Sequence, residues 1–511
     1  MRTNVMSLPK NDFSRLTRAN AEWIASPKLM LIGGQWVNAL SGMSMPVYDP
    51  SSRQSFCSVP RASLADVDRA VQSARKAFDG GAWPRMPATE RSKLLWRLAE
   101  LMEKDSRNIA QLESIDNGKP VSQAQEIDVP LAVNFVRYMA GMATKIHGRT
   151  FEMAVPYAPG FDFAAQTLRE PVGVVGAIIP WNMPLLMAVW KICPAVAAGC
   201  TIILKPASDT PLVALRIGEL AMEAGFPDGV INIICGPGGE IGDALVTHPG
   251  VDKIAFTGST AIGKAIARRA VDGMKRISLE LGGKSPVIVM PDAALEVAVP
   301  GIMLGIFANC GQVCSAGSRL YVHKSLHDPL VSALVEATNT IKVGPGLEPD
   351  TLMGPMVSEG QLLTVKSYIK LGLSEGADLL AGGHAPDSEG YFIEPTILGN
   401  TNNQMRVVRE EIFGPVLTVQ TFETEDEAIE LANDSIYGLA SSIYSTDAEA
   451  IDRLIPRIRA GTVWTNCHNI FDAALPFGGC KDSGVGREMG PEVIEMYTEL
   501  KSVCRARRKI T

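Results

Sequence analysis

Nine cysteines are scattered along the chain, and two of them share one short segment, Phe307-Ala308-Asn309-Cys310-Gly311-Gln312-Val313-Cys314-Ser315. A thiolate is a strong nucleophile near neutral pH once its pKa is lowered. A free cysteine is as readily a small inert core residue, and spacing alone does not separate Cys310 from Cys314. Glu280 stands in Ser278-Leu279-Glu280-Leu281-Gly282-Gly283-Lys284, a carboxylate inside an apolar strand pattern. Burial there raises its pKa toward the range of a general base, unless Lys284 pairs with it. Asn182, in Ile179-Pro180-Trp181-Asn182-Met183-Pro184, falls where a strand ends and a helix begins. Its amide could donate to an oxyanion or simply cap the helix.

A second kind of chemistry is written around Phe256-Thr257-Gly258-Ser259-Thr260. An apolar strand leads into a glycine turn that opens a helix, so backbone N–H groups collect where a pyrophosphate is stabilised. The spacing is one residue short of G-x-G-x-x-G, and a plain tight connection would look similar. Lys205, in Leu204-Lys205-Pro206-Ala207-Ser208, ends another predicted strand. In a doubly wound sheet that edge is where a nucleotide lies.

These residues need elements to hold them. Val172–Ile179, Thr201–Leu204, Val230–Ile234, Lys253–Phe256, Ser278–Leu281 and Pro286–Met290 read as strands. Helices are expected over Pro184–Ala198, closed by Gly199, from Thr210-Pro211 to Gly225, and over Thr260–Val271. Strands separated by such helices imply βαβ units and a mostly parallel sheet. Upstream, Ser63 and Asp66 form a capping-box signal before Val67, Val71, Ala74 and Phe78. Thr89 is a candidate cap for a helix with Leu94, Leu95, Leu98, Leu101 and Met102 on its inner stripe. A second α/β region runs from about 300 to 480. Gly148–Glu170 and the last 25 or so residues fit neither sheet and suggest arms that pack on another subunit.

Composition removes several alternatives. The chain has 511 residues, 46% hydrophobic and 20% charged, as expected for a folded enzyme of two or three domains. Lys and Arg total 48 against 55 Asp and Glu, a net charge of −7, so no basic footprint invites nucleic acid. No C-x-x-C or H-E-x-x-H pattern occurs, so neither a structural metal nor a disulfide framework is expected. The start lacks a signal-peptide run, and the apolar stretch Met187–Leu204 is broken by Lys191, Pro194 and Gly199. A cytoplasmic protein that does not span a membrane is expected.

Taken in order, Pro180-Trp181-Asn182, the Lys205 segment, Phe256-Thr257-Gly258-Ser259, Glu280-Leu281-Gly282-Gly283-Lys284, Gly311-Gln312-Val313-Cys314, Glu410-Glu411-Ile412-Phe413-Gly414-Pro415 and Pro476-Phe477-Gly478-Gly479 resemble the blocks of the aldehyde dehydrogenase superfamily. The resemblance runs from about residue 30 to 503. It implies an α/β fold with a Rossmann-like cofactor domain, a second α/β catalytic domain and a small β oligomerisation arm. On that pattern 1–25 is an N-terminal extension, 26–148 with 172–283 the dinucleotide-binding domain, 284–482 the catalytic domain, and 149–171 with 483–511 the arm.

The resemblance also implies roles. Cys314, not Cys310, becomes the nucleophile, Glu280 the general base, and Asn182 with the Cys314 N–H the oxyanion hole. Lys205 and Ser259 become contacts to the adenosine ribose and the pyrophosphate, while Glu411 and Phe413 lie at the nicotinamide ribose. Ile179, Pro180, Trp181, Ser208, Gly238, Gly242, Phe256, Gly258, Ile262 and Leu281 complete the expected cofactor surface. Glu280 argues against the branch that passes the acyl group to coenzyme A. Many NAD-linked members carry Glu where Ser208 stands. Losing that carboxylate removes repulsion against a 2′-phosphate, so NAD is expected with NADP tolerated.

The implied substrate tunnel, Met183, Met187, Trp190, Val313, Ser315, Phe471 and Phe477, is apolar and disfavours a charged aldehyde. Tyr138-Met139-Ala140-Gly141, Lys145-Ile146-His147-Gly148 and Gly461-Thr462-Val463-Trp464 with Asp472 and Leu475 look like the phenylacetaldehyde dehydrogenase branch. An arylacetaldehyde is the first expectation and a medium or long aliphatic aldehyde the second, in a homodimer or homotetramer. A catalytically silent relative would most simply lack Cys314 or Glu280, and both are present. A cysteine-dependent esterase is the other rival.

Overall fold

The five residues Val174–Ile178 are all buried, as a strand covered by helices on both faces must be. In the computed structural model, which describes residues 13–386 and 388–509, this strand is central to an eight-stranded sheet. In spatial order the sheet runs Gly484–Val485, Arg276–Glu280, Lys253–Thr257, Val174–Ile178, Thr201–Lys205, Ile231–Ile233, Met30–Ile32 and Gln35–Val37. The five strands from Arg276–Glu280 to Ile231–Ile233 are mutually parallel. The chain moves outward from Val174–Ile178 through two strands, then returns to its other side with Lys253–Thr257. The strand order therefore reverses between these two strands, the crevice where open α/β sheets bind ligands.

A second, seven-stranded sheet runs Asp378–Ala381, Thr396–Gly399, Val416–Phe422, Arg319–His323, Pro286–Val289, Ala440–Tyr444 and Thr462–Thr465. All its pairs are parallel except the first. The arm is a three-stranded antiparallel sheet in which Thr498–Arg508 pairs along all of Phe161–Pro171, with Thr150–Glu152 on the other edge. Among the described residues no helix is long and apolar enough to cross a membrane.

The helix expected over Pro184–Ala198 has those bounds, and Gly199 ends it at φ +95°. Ser63 and Asp66 form their capping box at the start of Leu64–Asp79. Four details differ from expectation. The strand expected from Val172 begins at Val174, because Pro171 still belongs to the arm and Gly173, at φ +126°, makes the turn between them. Thr89 is not the cap of its helix but lies inside it: the helix starts at Ala88, with Pro87 at the cap position. Within the expected N-terminal extension, Arg18–Ala25 is helical, capped by Thr17 and anchored where Asn20 Nδ2 donates to Asn108 O at 3.0 Å. Residues 1–12 lie outside the described residues. Of the segment 483–511, Gly484–Val485 joins the large sheet, because it supplies the missing antiparallel neighbour of the edge strand Arg276–Glu280.

Helices Ser106–Asn117 and Val129–Met142 flank a π-helical turn, Ala124–Asp128. One buried ammonium ties this region together: Lys119 Nζ lies 2.6 Å from Asp128 Oδ2 and 3.0 Å from Glu113 Oε1. Removing one partner of a buried ionic cluster leaves the others desolvated and uncompensated. Lys119→Met is expected to destabilise by about 3–5 kcal/mol, read as a lower midpoint of urea unfolding. An unchanged midpoint would show that the cluster holds nothing in place.

Candidate active site

Where the two sheets meet, a cavity of about 580 Å³ opens at the reversal crevice. Its wall brings together residues far apart in the chain: Pro180, Trp181 and Asn182; Gly258 and Ser259; Glu280 and Leu281; Val313, Cys314 and Ser315; Glu411 and Phe413. Met183, Met187, Trp190, Phe471 and Phe477 line it as well.

The other sequence-predicted positions lie outside this cavity, along the carboxyl edge of the large sheet. Ile179 N–H donates to Lys205 O at 3.1 Å, clamping two strand ends together. A methyl group at Gly242 would meet Lys205 Cδ at 3.8 Å, so Gly238–Gly242 lies close over that lysine. Ser208 Oγ donates to Gly236 O at 3.1 Å. The Phe256 ring lies beneath Gly258, where a methyl group would fall 2.5 Å from its Cζ. Ser259 caps Thr260–Ala270 by accepting from Ile262 N–H, and the Ile262 side chain is exposed beside it.

The Cys314 segment has an uncommon backbone. Asn309, Cys310 and Gly311 all take left-handed conformations, with φ of +48°, +56° and +68°. The turn throws Cys310 into the core, with its Sγ 3.4 Å from Met356 Sδ, and delivers Cys314 to the cavity. Buried Gln312 secures the turn: its Nε2 donates to Asn309 O at 3.1 Å and its Oε1 accepts from Val357 N–H at 3.0 Å. Asn182 Nδ2 donates to Gln312 O at 2.8 Å, and Asn309 Nδ2 to Asn182 O at 2.7 Å. Asn182 is therefore not a helix cap. One of its two amide hydrogens is engaged, and its side chain shares the cavity wall with Cys314.

The electrostatics follow from excluded water. Burial pushes the Cys314 thiol up to about 12, with Glu280 and then Glu411 adding to it. Burial raises Glu280 well above the carboxylate range, and Glu488 beyond it does the same, against the pull of Lys191 and Arg487. Glu411 rises to about 7 through burial, opposed by the Gly283 N–H that it accepts at 3.0 Å and by Lys284. The expected alternative, a Glu280–Lys284 pair, is not made: Glu280 Oε2 and Lys284 Nζ both lack hydrogen-bond partners. Burial lowers Lys205 to about 8.

Several wall residues were not anticipated: Gln123, Ile127, Leu131 and Asn134 from the π-turn region, Leu304 from the helix before the Cys314 loop and Ala308 just after it, and Gln361, Asn469 and Ile470. A period of three to four in Ala132, Val133, Val136, Met139 and Ala140 marks the first of these elements in the sequence. The aromatic wall is continuous. Trp190 lies 6.1 Å from Phe477 and 6.3 Å from Phe471 between ring centroids, and Phe471 and Phe477 meet edge-on at 5.2 Å. Among the described residues no lysine or arginine lines the cavity, while Glu126 and Asp128 do.

The sequence model of the aldehyde dehydrogenase family matches residues 36–503. A phenylacetaldehyde dehydrogenase from Pseudomonas fluorescens is 48% identical over 479 residues, 93% of this chain and 95% of the relative. A betaine aldehyde dehydrogenase from Bacillus subtilis is 44% identical over 480 residues, covering 93% of this chain and 97% of its own. Among solved structures, the NAD+ complex of an aldehyde dehydrogenase from Bacillus cereus superposes with a TM-score of 0.94 at 44% identity, covering 96% of this chain and 99% of that one.

Gly311 tests the backbone of the loop. A methyl group there would fall 2.2 Å from Gly414 O and 2.7 Å from Pro415 N, at a φ that favours glycine. Gly311→Ala is expected to lose at least about 2 kcal/mol, measured by urea unfolding. Wild-type stability in the variant would mean that the loop rearranges freely.

Proposed function

The chain belongs to the aldehyde dehydrogenase family, and on that premise we propose that it oxidises an apolar aldehyde, first an arylacetaldehyde such as phenylacetaldehyde, to the carboxylic acid. One observation carries the reading: a thiol, an amide donor and a buried carboxyl group, from three distant parts of the chain, share one cavity at the reversal point of a doubly wound sheet. The crevice suits a dinucleotide. It offers the N-terminus of Thr260–Ala270 for a pyrophosphate, Lys205 at a strand end, and Glu411 on the wall beside Gly282, where a methyl group would sit 2.0 Å from Glu411 Oε2. NAD, when bound there, supplies the hydride acceptor.

The residues of the chain do the rest. The Cys314 thiol gives its proton to the Glu280 carboxylate, which passes it on to solvent, and the sulfur bonds to the aldehyde carbon. The second amide hydrogen of Asn182 and the Cys314 N–H hold the alkoxide. Loss of hydride from the thiohemiacetal leaves a thioester on Cys314. Glu280 takes a proton from water, which displaces the sulfur and releases the acid.

The aromatic wall, the absence of a basic residue in the lining and the similarity to a phenylacetaldehyde dehydrogenase support an arylacetaldehyde. Glu126 on the wall opposes an aldehyde that carries a carboxylate. Ser208, engaged with a backbone carbonyl, puts no carboxylate against a 2′-phosphate, which supports NAD with NADP as a weaker substitute. Exposed Phe151, Phe161, Leu168 and Leu500 on the arm sheet support a homodimer or homotetramer.

The direct test follows absorbance at 340 nm with phenylacetaldehyde, benzaldehyde, octanal and betaine aldehyde, each with NAD and NADP. Phenylacetaldehyde with NAD is expected to have the highest kcat/KM, and Cys314→Ala to abolish the signal. A best rate with octanal would move the assignment to aliphatic aldehydes, and no signal under any condition would remove the dehydrogenase reading.

Burial raises both Glu280 and the Cys314 thiol, and each acts in its deprotonated form. The rate must therefore climb as pH rises above the ordinary carboxylate range. Glu280→Gln should flatten the carboxylate part of that climb and lower kcat by about 10²–10⁴-fold. An unchanged pH profile in that variant would place the base elsewhere.

A further inference from the structure

Behind the nucleophile segment sits a buried histidine that this reaction does not use. His468 is 1% exposed and follows the strand Thr462–Thr465. Its Nε2 is 2.9 Å from the carbonyl oxygen of Ser315, and its Nδ1 bonds the hydroxyl of Ser442 on strand Ala440–Tyr444. A carbonyl only accepts, so the proton is on Nε2, and Nδ1 accepts from the serine. Burial holds the ring neutral down to about pH 4.

The ring fills a slot made by two glycines. A methyl group at Gly305 would come within 3.0 Å of its Cδ2, and one at Gly317 within 3.1 Å of its Cε1. The slot is closed by a bond from Gly317 N–H to Gly305 O at 3.0 Å. The next residue, Asn469, reaches the same target from the cavity side, its Oδ1 accepting from Ser315 Oγ at 2.7 Å. Two consecutive residues thus grip the residue after Cys314, one by its main chain and one by its side chain.

The gripping loop continues into the aromatic wall. Trp464 lies 4.9 Å from the His468 ring and 5.7 Å from Phe471, and its Nε1 donates to Ile470 O at 2.9 Å. The segment 312–318 has no helix or strand of its own, so its position depends on such tertiary bonds.

We propose that His468 and Asn469 form a two-point clamp on Ser315 that sets the Cys314 thiol and N–H in register with the aromatic wall. His468 is a positioning residue in this arrangement and touches no reacting atom. The proposal rests on the assignment of Cys314 as nucleophile.

His468→Phe keeps an aromatic ring and removes both hydrogen bonds, His468→Gln restores a donor, and Asn469→Ala removes the second grip. His468→Phe is expected to lower kcat on the order of 100-fold with the KM for NAD unchanged, and His468→Gln to recover part of the loss. Labelling of Cys314 supplies a readout independent of dehydrogenation. Phenacyl bromide, which must enter along the aromatic wall, should react about tenfold more slowly in His468→Phe and Asn469→Ala, while iodoacetamide, which needs no alignment, changes by less than about threefold.

Equal slowing of both reagents, or a loss of kcat that glutamine does not relieve, would mean general damage and overturn the clamp. If His468→Phe does not fold, wild-type phenacyl labelling in folded Asn469→Ala overturns it alone. If the wild-type protein oxidises no aldehyde, the functional reading fails, while the labelling comparison still decides the clamp.

Discussion

Partial loss of water bears on three acids that share one wall. Cys314, Glu280 and Glu411 line the same cavity, and burial is the largest influence on each. In water all three could be charged at alkaline pH with little mutual penalty. In a partly buried pocket each further charge costs more, because like charges at short range repel strongly at low effective dielectric. Burial therefore favours the protonated form of each. A thiol held protonated is also protected from adventitious oxidation, which follows thiolate character. The aromatic wall adds apolar surface to the cavity, and the turn before Cys314 sits against Gly414 and Pro415.

The backbone around Cys314 shows how position is obtained without regular structure. Three successive left-handed residues are costly, and they persist because Gln312 and Asn182 supply bonds that a relaxed turn would lose. Gly311 is required by the approach of Gly414 O. The result separates two cysteines that composition treats alike. Cys310 meets a methionine in the core, and Cys314 meets the cavity.

Those distinctions set the limits of what the chain reveals before it folds. Parallel strands and their crossover helices were legible because β-branched runs, Pro184 and the glycines at 199 and 225 are local signals. The placement of Asn182, Glu280, Cys314, Glu411 and Phe413 around one cavity was legible only through motif order, since no local pattern encodes a meeting of residues more than 200 positions apart. Helix Arg18–Ala25 escaped notice because two turns are too few to show a period. Ile127 in the π-turn and Gln123 just before it escaped because a π-turn breaks the period that would identify them. His468 carried no signal: a lone histidine beside an asparagine gains meaning only from the carbonyl and hydroxyl that fold against it.

The strand that bears Glu280 takes its outer neighbour, Gly484–Val485, from near the end of the chain, and Leu281 N–H donates to Ser483 O at 2.9 Å. Ser483 Oγ also donates to Gly282 O at 2.7 Å and accepts from Gly438 N–H at 3.0 Å, stitching the two large sheets together. Synthesis runs from the other end. A nascent chain thus has the crevice strands and Cys314 before it has the residues that lock the Glu280 strand. The cavity wall is completed only when residues 483–485 have been made, so a chain cut short before them carries Cys314 without the edge that steadies Glu280.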